Sequence, residues 1–215
     1  ALLTARRRGD DITMAAMEDA IDRVLAGPER KTRVMSEQEK RVIAYHEGGH
    51  TLVGHVLEGT DPIHKVSIVS RGRALGWTLA LPEEDKYLKS RSELVDTLTM
   101  LLGGRTSEEL VFGEPTTGAS DDIERCSEIA RAMVTTYGMS DRLGPQQLGS
   151  KSGEVFLGRD YGHEPTYSDE IAGLIDDEVR HLIDHAHDRA RFILPTHRAT
   201  LDRLAVALIE KETLD

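Results

Sequence analysis

The sequence predicts a mainly α-helical fold with one small β-sheet. Several segments show the 3.6-residue periodicity of amphipathic helices, and Ser-x-x-Glu capping boxes at Ser36 and Ser90 mark two helix starts. Only residues 64–81 contain the alternation that is typical of strands. The chain has 215 residues, of which 39% are hydrophobic and 30% charged. This composition is typical of a globular domain with an ordinary hydrophobic core.

The first part of the chain is predicted to contain two helices and a pair of strands. Thr13 is the expected N-cap of the first helix, and Gly27-Pro28 ends it because neither residue favours a helix interior. The second helix is expected to run from residue 36 to about residue 59. Two strands, 64–69 and 74–81, follow it and are joined by a turn.

Helices dominate the remainder of the predicted fold. A helix is expected from Ser90, with Gly103-Gly104 loosening it and residues 106–112 resuming it. After a loop over 113–118, another helix is expected from about Ser120 to Gly138, and then a loop over 139–167 with a short hairpin around Val155 to Leu157. A long helix from Ser168 to Pro195 and a last helix over about 196–211 complete the prediction.

The second predicted helix contains the motif His46-Glu47-Gly48-Gly49-His50. A spacing of four residues places both imidazoles on one face of a helix, where they can share a metal ion. Apolar neighbours such as Val42 and Val53 put this face in the interior or at the floor of a cleft. Glu47 lies to one side, where it can reach a water molecule on the ion. Zinc together with such a base would supply the catalytic groups needed to hydrolyse an amide bond.

The third metal ligand is not fixed by this motif. The downstream positions that hold glycine and histidine in a metzincin are Val53 and Val56 here, which excludes that class. Two acidic pairs remain as candidates. Glu108-Glu109 would give a His-His-Glu site, whereas Asp121-Asp122 would give a His-His-Asp site. The residue types alone leave both alternatives open.

Composition also excludes several other classes of protein. With 27 basic and 38 acidic residues the net charge is −11, so nucleic acid is not an expected partner. No apolar run approaches the roughly 18 residues of a membrane-spanning helix. No GxxxxGK[ST] motif is present, so ATP binding by a P-loop within this chain is not expected. Cys126 is the single cysteine and cannot form an intrachain disulfide.

A dispersed set of motifs extends over nearly the whole chain. It comprises Tyr45-His46-Glu47-Gly48-Gly49-His50, Asp61-Pro62 with His64-Lys65-Val66, Arg71-Gly72-Arg73-Ala74-Leu75-Gly76, Gly103-Gly104-Arg105 before Glu108-Glu109, Thr117-Gly118-Ala119-Ser120-Asp121-Asp122-Ile123, and Val155-Phe156-Leu157-Gly158. With these motifs the chain resembles the peptidase domain (M41-type) of the FtsH family of membrane-anchored, ATP-dependent zinc metalloproteases.

The resemblance implies a helical zinc metallopeptidase domain with HExxH on a buried helix. It implies Zn²⁺ as cofactor, His46, His50 and Asp122 as its ligands, and Glu47 as the catalytic residue. Asp121 and Glu108 remain as alternatives to Asp122. The implied domains are the end of an ATPase lid with its linker (1–30) and the peptidase domain (31–215).

The resemblance also implies the setting in which the domain works. The expected activity is endopeptidase hydrolysis of unfolded or membrane-extracted proteins, delivered by an upstream AAA-type ATPase module in protein quality control. The implied assembly is a homo-hexamer at the cytoplasmic face of the cell membrane, while the fragment itself is expected to be soluble. An inactive hexamerising scaffold with a structural metal is the alternative. Glu47 argues against it, because a structural site has no use for a base.

Overall fold

A computed structural model describes residues 12–25, 27–29, 35–72, 74–82, 87–148 and 167–215. Its elements in chain order are α1 (Met14–Leu25), α2 (Glu37–Val56), β1 (Ile63–Ser67), β2 (Trp77–Ala80), α3 (Arg91–Phe112), a 3₁₀ turn (Thr117–Ala119), α4 (Ser120–Thr135), α5 (Asp169–Thr196), α6 (Arg198–Lys211) and β3 (Thr213–Leu214). The prediction of a mainly α fold with one small sheet is confirmed. The predicted hairpin around Val155 to Leu157 and residues 1–11 of the implied lid and linker lie outside the described residues.

Helix α2 begins at the predicted capping box. The Glu39 backbone N–H donates to Ser36 Oγ over 3.2 Å, and the Ser36 N–H donates back to Glu39 Oε2 over 3.0 Å. These two bonds satisfy donors that a helix start leaves free. The helix ends at Leu57, which has an extended backbone, slightly before the predicted residue 59. Its central part, which includes the HExxH motif, is buried.

Helix α3 crosses α2 at a contact between glycines. A Cβ on Gly103 would lie 2.8 Å from the carbonyl oxygen of Gly49, and a Cβ on Gly49 would overlap the carbonyl oxygen of Gly103. The two backbones can therefore approach only because both side chains are absent. The predicted interruption at Gly103-Gly104 is wrong, since α3 runs unbroken until Gly113 ends it in the left-handed conformation (φ 82°). Packing against α2 outweighs the weak helix propensity of these glycines.

The sheet contains three antiparallel strands in the order β2-β1-β3. Val66 of β1 pairs with Thr78 on one side and with Leu214 on the other. Both predicted strands exist but are shorter than expected. Strand β3 has two residues, too few for a periodic pattern, and the sequence did not predict it. Strand β2 forms one edge of the sheet.

Two groups of buried apolar side chains hold the helices together. One joins α2, β1, the end of α5 and α6, and includes Val53, Ile68 and Leu201. The other joins α3, α4 and α5 around Leu98 and Met133. Helix α3 therefore packs against α2 on one side and against α4 and α5 on the other.

The boundary between α5 and α6 lies at His197, not at Pro195 as predicted. Pro195 occupies the last turn of α5, where its missing N–H removes one helical hydrogen bond. The carbonyl oxygen of His197 then accepts the N–H groups of Thr200 and Leu201, which begins α6. Among the described residues, no helix combines the length and the hydrophobicity needed to span a membrane.

Candidate metal centre

Three side chains from two helices converge at the floor of a cleft. His46 and His50 lie one turn apart on α2, and their Nε2 atoms are 3.0 Å from each other. Asp122, in the first turn of α4, places Oδ2 3.1 Å from His46 Nε2 and 3.3 Å from His50 Nε2. Over the described part of the chain, these residues form the one cluster of three or more side chains able to hold a metal ion together.

The donor set and the space around it fit a zinc ion. Two imidazole nitrogens and one carboxylate oxygen, with a further position left for water, are a typical catalytic zinc set. Gly104 of α3 faces this point. A Cβ there would lie 2.5 Å from His50 Nε2 and 2.7 Å from His46 Nε2, so a side chain would fill the space beside the donors.

The remaining ring nitrogen of each histidine has its own hydrogen-bond acceptor. His46 Nδ1 lies 2.7 Å from Glu108 Oε1, and His50 Nδ1 donates to the carbonyl oxygen of Met100 over 2.8 Å. Both acceptors belong to α3. Protonation at Nδ1 leaves Nε2 of each ring free to bind a metal, because a neutral imidazole carries one proton.

The four acidic candidates occupy different surroundings. Of these, only Asp122 lies beside both Nε2 atoms. Glu108 contacts the opposite nitrogen of His46 and also accepts the N–H of Thr116. Glu109 pairs with Arg105 and Arg191 at 3.1 Å and 3.0 Å. Asp121 is exposed, and its carboxylate accepts the hydroxyl of Ser120.

The carboxylates determine the charge state of this cluster. Burial on its own would lower the pKa of His46, but hydrogen bonds to Asp122 and Glu108 raise that pKa to about 10. Burial likewise opposes ionisation of Asp122, yet the hydrogen bonds from both histidines hold its pKa well below the usual range. Without a metal, the cluster at neutral pH is therefore an imidazolium between two carboxylates.

Glu47 lies in the same cleft and is 6% exposed. Burial raises the pKa of its carboxyl group above the usual value, although the nearby histidines partly oppose this rise. Thr78 Oγ1 of strand β2 donates a hydrogen bond to Glu47 Oε2 over 2.7 Å. The residue is thus a buried carboxylate, more basic than a free one, in the same cleft as the metal donors.

The cleft has a volume of about 880 Å³. Its lining includes residues 74–78 leading into and along β2, residues 116–118 and the start of α4, besides parts of α2 and α3. The edge strand therefore borders the cleft in which His46, Glu47 and Asp122 meet.

Several site residues were not predicted from the sequence. Thr78, Gly104 and the Met100 carbonyl come from elements that are distant in the chain, and no periodicity connects them with α2. Glu108 was considered as a ligand, not as a partner of Nδ1. Their separation of 62 positions in the sequence carries no information about which nitrogen of His46 the Glu108 carboxylate approaches.

Comparison with known proteins identifies the family of the chain. Residues 33–215 match the family model described as peptidase family M41. The whole chain aligns with 34% of the length of the ATP-dependent zinc metalloprotease FtsH 3 of Symbiobacterium thermophilum, and the two are 57% identical over 216 residues. It aligns with 33% of the length of the ATP-dependent zinc metalloprotease FtsH of Rubrobacter xylanophilus at 56% identity. It aligns with 28% of the length of the protein of the same name from Mycobacterium tuberculosis at 55% identity. The chain thus spans about a third of the length of these curated relatives. The chain belongs to peptidase family M41.

Proposed function

We propose that this chain is the zinc endopeptidase domain of an ATP-dependent protease. The observation that carries the proposal is the convergence of His46, His50 and Asp122 in the cleft that also holds the buried Glu47. The names of the FtsH relatives support zinc as the metal. In this proposal the three converging residues are the zinc ligands, and Glu108 orients His46 through Nδ1.

Glu47 is the proposed general base and general acid. When bound, zinc supplies Lewis acidity, which polarises a carbonyl group and makes a water molecule acidic enough to react near neutral pH. Glu47 accepts the proton of the water that attacks the scissile carbonyl carbon. It then donates this proton to the amide nitrogen as the C–N bond breaks. Its raised pKa suits the first step, because a base that is stronger than a free carboxylate takes up the proton more readily.

Strand β2 is the proposed support for the substrate backbone. It is an edge strand beside the cleft, so its outer hydrogen-bonding groups can pair with an extended peptide. Main-chain pairing of this kind gives only a weak preference for sequence, which suits a protease of unfolded chains.

The rest of the full-length protein is proposed from its relatives. Their names describe ATP-dependent proteases, and most of their length lies outside the part that matches this chain. We place an ATPase module upstream, with 1–30 as lid end and linker and 31–215 as the peptidase domain. The start of the family match at residue 33 supports this boundary. A homo-hexamer at the cytoplasmic face of the cell membrane, acting on unfolded or membrane-extracted proteins, completes the proposal.

Replacement of Glu47 by Gln in the full-length protein tests the proposed chemistry. The amide has nearly the same shape but cannot accept the proton, so hydrolysis of an unfolded substrate should fall by ~10²-fold or more while bound zinc stays at the wild-type level. Metal analysis and peptide hydrolysis are measured on the same samples. A variant with wild-type turnover would refute the role of Glu47.

The same experiment separates the enzyme from the inactive scaffold. A scaffold would show no hydrolysis in either the wild-type or the variant protein, with the metal present in both. Glu109→Gln is a matched control, because Glu109 forms ion pairs with Arg105 and Arg191 and is not part of the metal cluster. This control should retain turnover and zinc.

A further inference from the structure

The carboxylate of Glu47 is held from outside its own helix. Among the described residues, its one direct hydrogen bond comes from Thr78 Oγ1, at 2.7 Å from Oε2. Rotation about the terminal bond of a glutamate is only weakly restricted by the side chain itself. An external donor is therefore needed to fix the plane of this carboxylate.

Gly76, the residue just before β2, limits the position of the other carboxylate oxygen. A Cβ on Gly76 would lie 2.7 Å from Glu47 Oε1 and 2.8 Å from Glu47 Cγ. Contacts this short are not tolerated, so the carboxylate can occupy its position only because residue 76 lacks a side chain. Thr78 and Gly76 thus enclose the carboxylate from two directions.

The hydroxyl of Thr78 is itself held in place. Thr78 pairs with Val66 in the sheet, and β-branching restricts the rotation of its side chain. The donor therefore has a defined position relative to α2, whereas a hydroxyl on a loop would not.

We propose that Thr78 is a positioning residue for the general base, and that Gly76 keeps the place of the base open. The proposal rests on the proposed function, since it assumes that Glu47 transfers the proton. A base must lie within hydrogen-bond reach of the proton it takes, and a displacement of about 1 Å can cost ~100-fold in rate. The hydrogen bond from β2 is what maintains this alignment.

The test compares Thr78→Val with Thr78→Ser in the zinc-loaded full-length protein. Valine keeps the shape of threonine and removes the hydroxyl, so kcat for an unfolded substrate should fall ~10- to 100-fold with KM within about twofold. Serine restores the hydroxyl, and its kcat should return to within about fivefold of wild type. The visible spectrum of the Co²⁺-substituted protein should be the same in all three, because the ligands are unchanged.

Two variants serve as controls. Thr97→Val removes a hydroxyl that donates to the Glu93 carbonyl oxygen within α3, and its kinetics should not change. Glu47→Gln tests the proposed function separately. If Glu47→Gln retains turnover, the proposed function fails; if it loses turnover while Thr78→Val keeps wild-type kcat, only the positioning role fails.

The serine variant and a Gly76 variant test the positioning role further. A serine variant as slow as the valine variant, with the same thermal midpoint and cobalt spectrum, would overturn the role of the hydroxyl. If Thr78→Val does not fold, Gly76→Ala replaces it as the test. Its Cβ would overlap Glu47 Oε1 and Glu47 Cγ and would lie 2.9 Å from Ile43 Cγ2, so the Glu47 side chain must shift relative to residue 76. We expect kcat to fall at an unchanged cobalt spectrum, and an unchanged kcat would overturn the proposal.

Discussion

His46 contacts a carboxylate through each of its ring nitrogens, and this arrangement assigns different tasks to the two acids. Asp122 lies beside Nε2 together with His50, whereas Glu108 lies beside Nδ1 and is almost fully buried. A carboxylate on Nδ1 fixes the orientation of the ring and increases the basicity of the nitrogen that binds metal. In the proposed zinc site both acids therefore contribute to zinc affinity, but by separate routes.

Substitution of the acidic residues should separate these routes. Glu108→Gln should weaken zinc binding by ~10- to 100-fold, as is typical when the partner of a ligating histidine is lost. Asp122→Ala should weaken it further, because a direct donor is removed, and Asp121→Ala should leave it unchanged. Competition with a chelator of known affinity measures all three. Retention of wild-type affinity by Asp122→Ala would contradict the proposed ligand set.

Zinc binding should release a proton at neutral pH. The pKa of His46 is about 10 in the metal-free cluster, so Nε2 carries a proton that the ion must displace. Apparent zinc affinity should rise with pH up to about that value. The stabilisation that the charged ring gives the metal-free fold has the opposite sign: it is complete below the ordinary pKa of histidine and is lost as pH rises through about 10.

Titration calorimetry in two buffers with different ionisation enthalpies measures this proton. We expect a difference in heat that corresponds to the release of about one proton per zinc ion at pH 7. Identical heats in the two buffers would show that the ring is already neutral.

Helices α2 and α3 meet at Gly49 and Gly103, and this contact determines the distance between the two helices. Gly49→Ala would introduce a Cβ into the carbonyl group of Gly103, a backbone atom that cannot move aside. We expect a loss of about 1–3 kcal/mol in the free energy of unfolding, as for other overpacked cores. Urea denaturation of the zinc-loaded chain measures it.

Gly173→Ala in α5 is the matched control for this substitution. Gly173 is exposed, and a Cβ there would have no neighbour within 4 Å. Alanine should stabilise the chain by about 0.5–1 kcal/mol, because it restricts the unfolded backbone more than glycine does. A loss of stability at Gly173 similar to that at Gly49 would mean that the effect does not come from the helix contact.

Local signals predicted where the helices begin better than where they end. The capping boxes at Ser36 and Ser90 are confirmed as helix starts, because capping involves only residues within one turn. The predicted break at Gly103-Gly104 is wrong, because the reason for these glycines is the neighbouring helix and not the local chain. The predicted helix end at Pro195 is also wrong, because the helix continues to Thr196.

At the scale of the whole molecule, the spacing of residues predicted that the two histidines of the site converge, but it did not identify the acidic residue beside them. The convergence of His46 and His50 follows from a spacing of four on one helix. The approach of Asp122 depends on how α4 packs against α3, and residue types alone could not choose between it and Glu108. The family resemblance favoured Asp122, and the same residue lies beside both Nε2 atoms.

The whole molecule also limits which substrates this chain can process alone. In the proposed function the cleft and the edge strand β2 receive an extended peptide, and the sequence contains no GxxxxGK[ST] motif for coupling to ATP. A stable protein has a free energy of unfolding of about 5–15 kcal/mol, so its extended form is rare. We expect slow hydrolysis of an unfolded protein by this chain and none of a stably folded reporter.

Incubation of the zinc-loaded chain with both substrates in the absence of ATP tests this limit. Electrophoresis of timed samples follows the loss of each. Degradation of the folded reporter at the rate of the unfolded protein would contradict the expectation, and a reporter destabilised by mutation should become a substrate.

Strand β2 contains Trp77, the one tryptophan of the chain, and this residue lines the cleft. Indole fluorescence excited selectively in this chain therefore originates at a single point beside the edge that would receive a peptide. Emission changes during a titration with an uncleavable peptide would report occupancy of that edge directly. The chain thus carries its own optical probe of substrate docking, without the need for a chemical label.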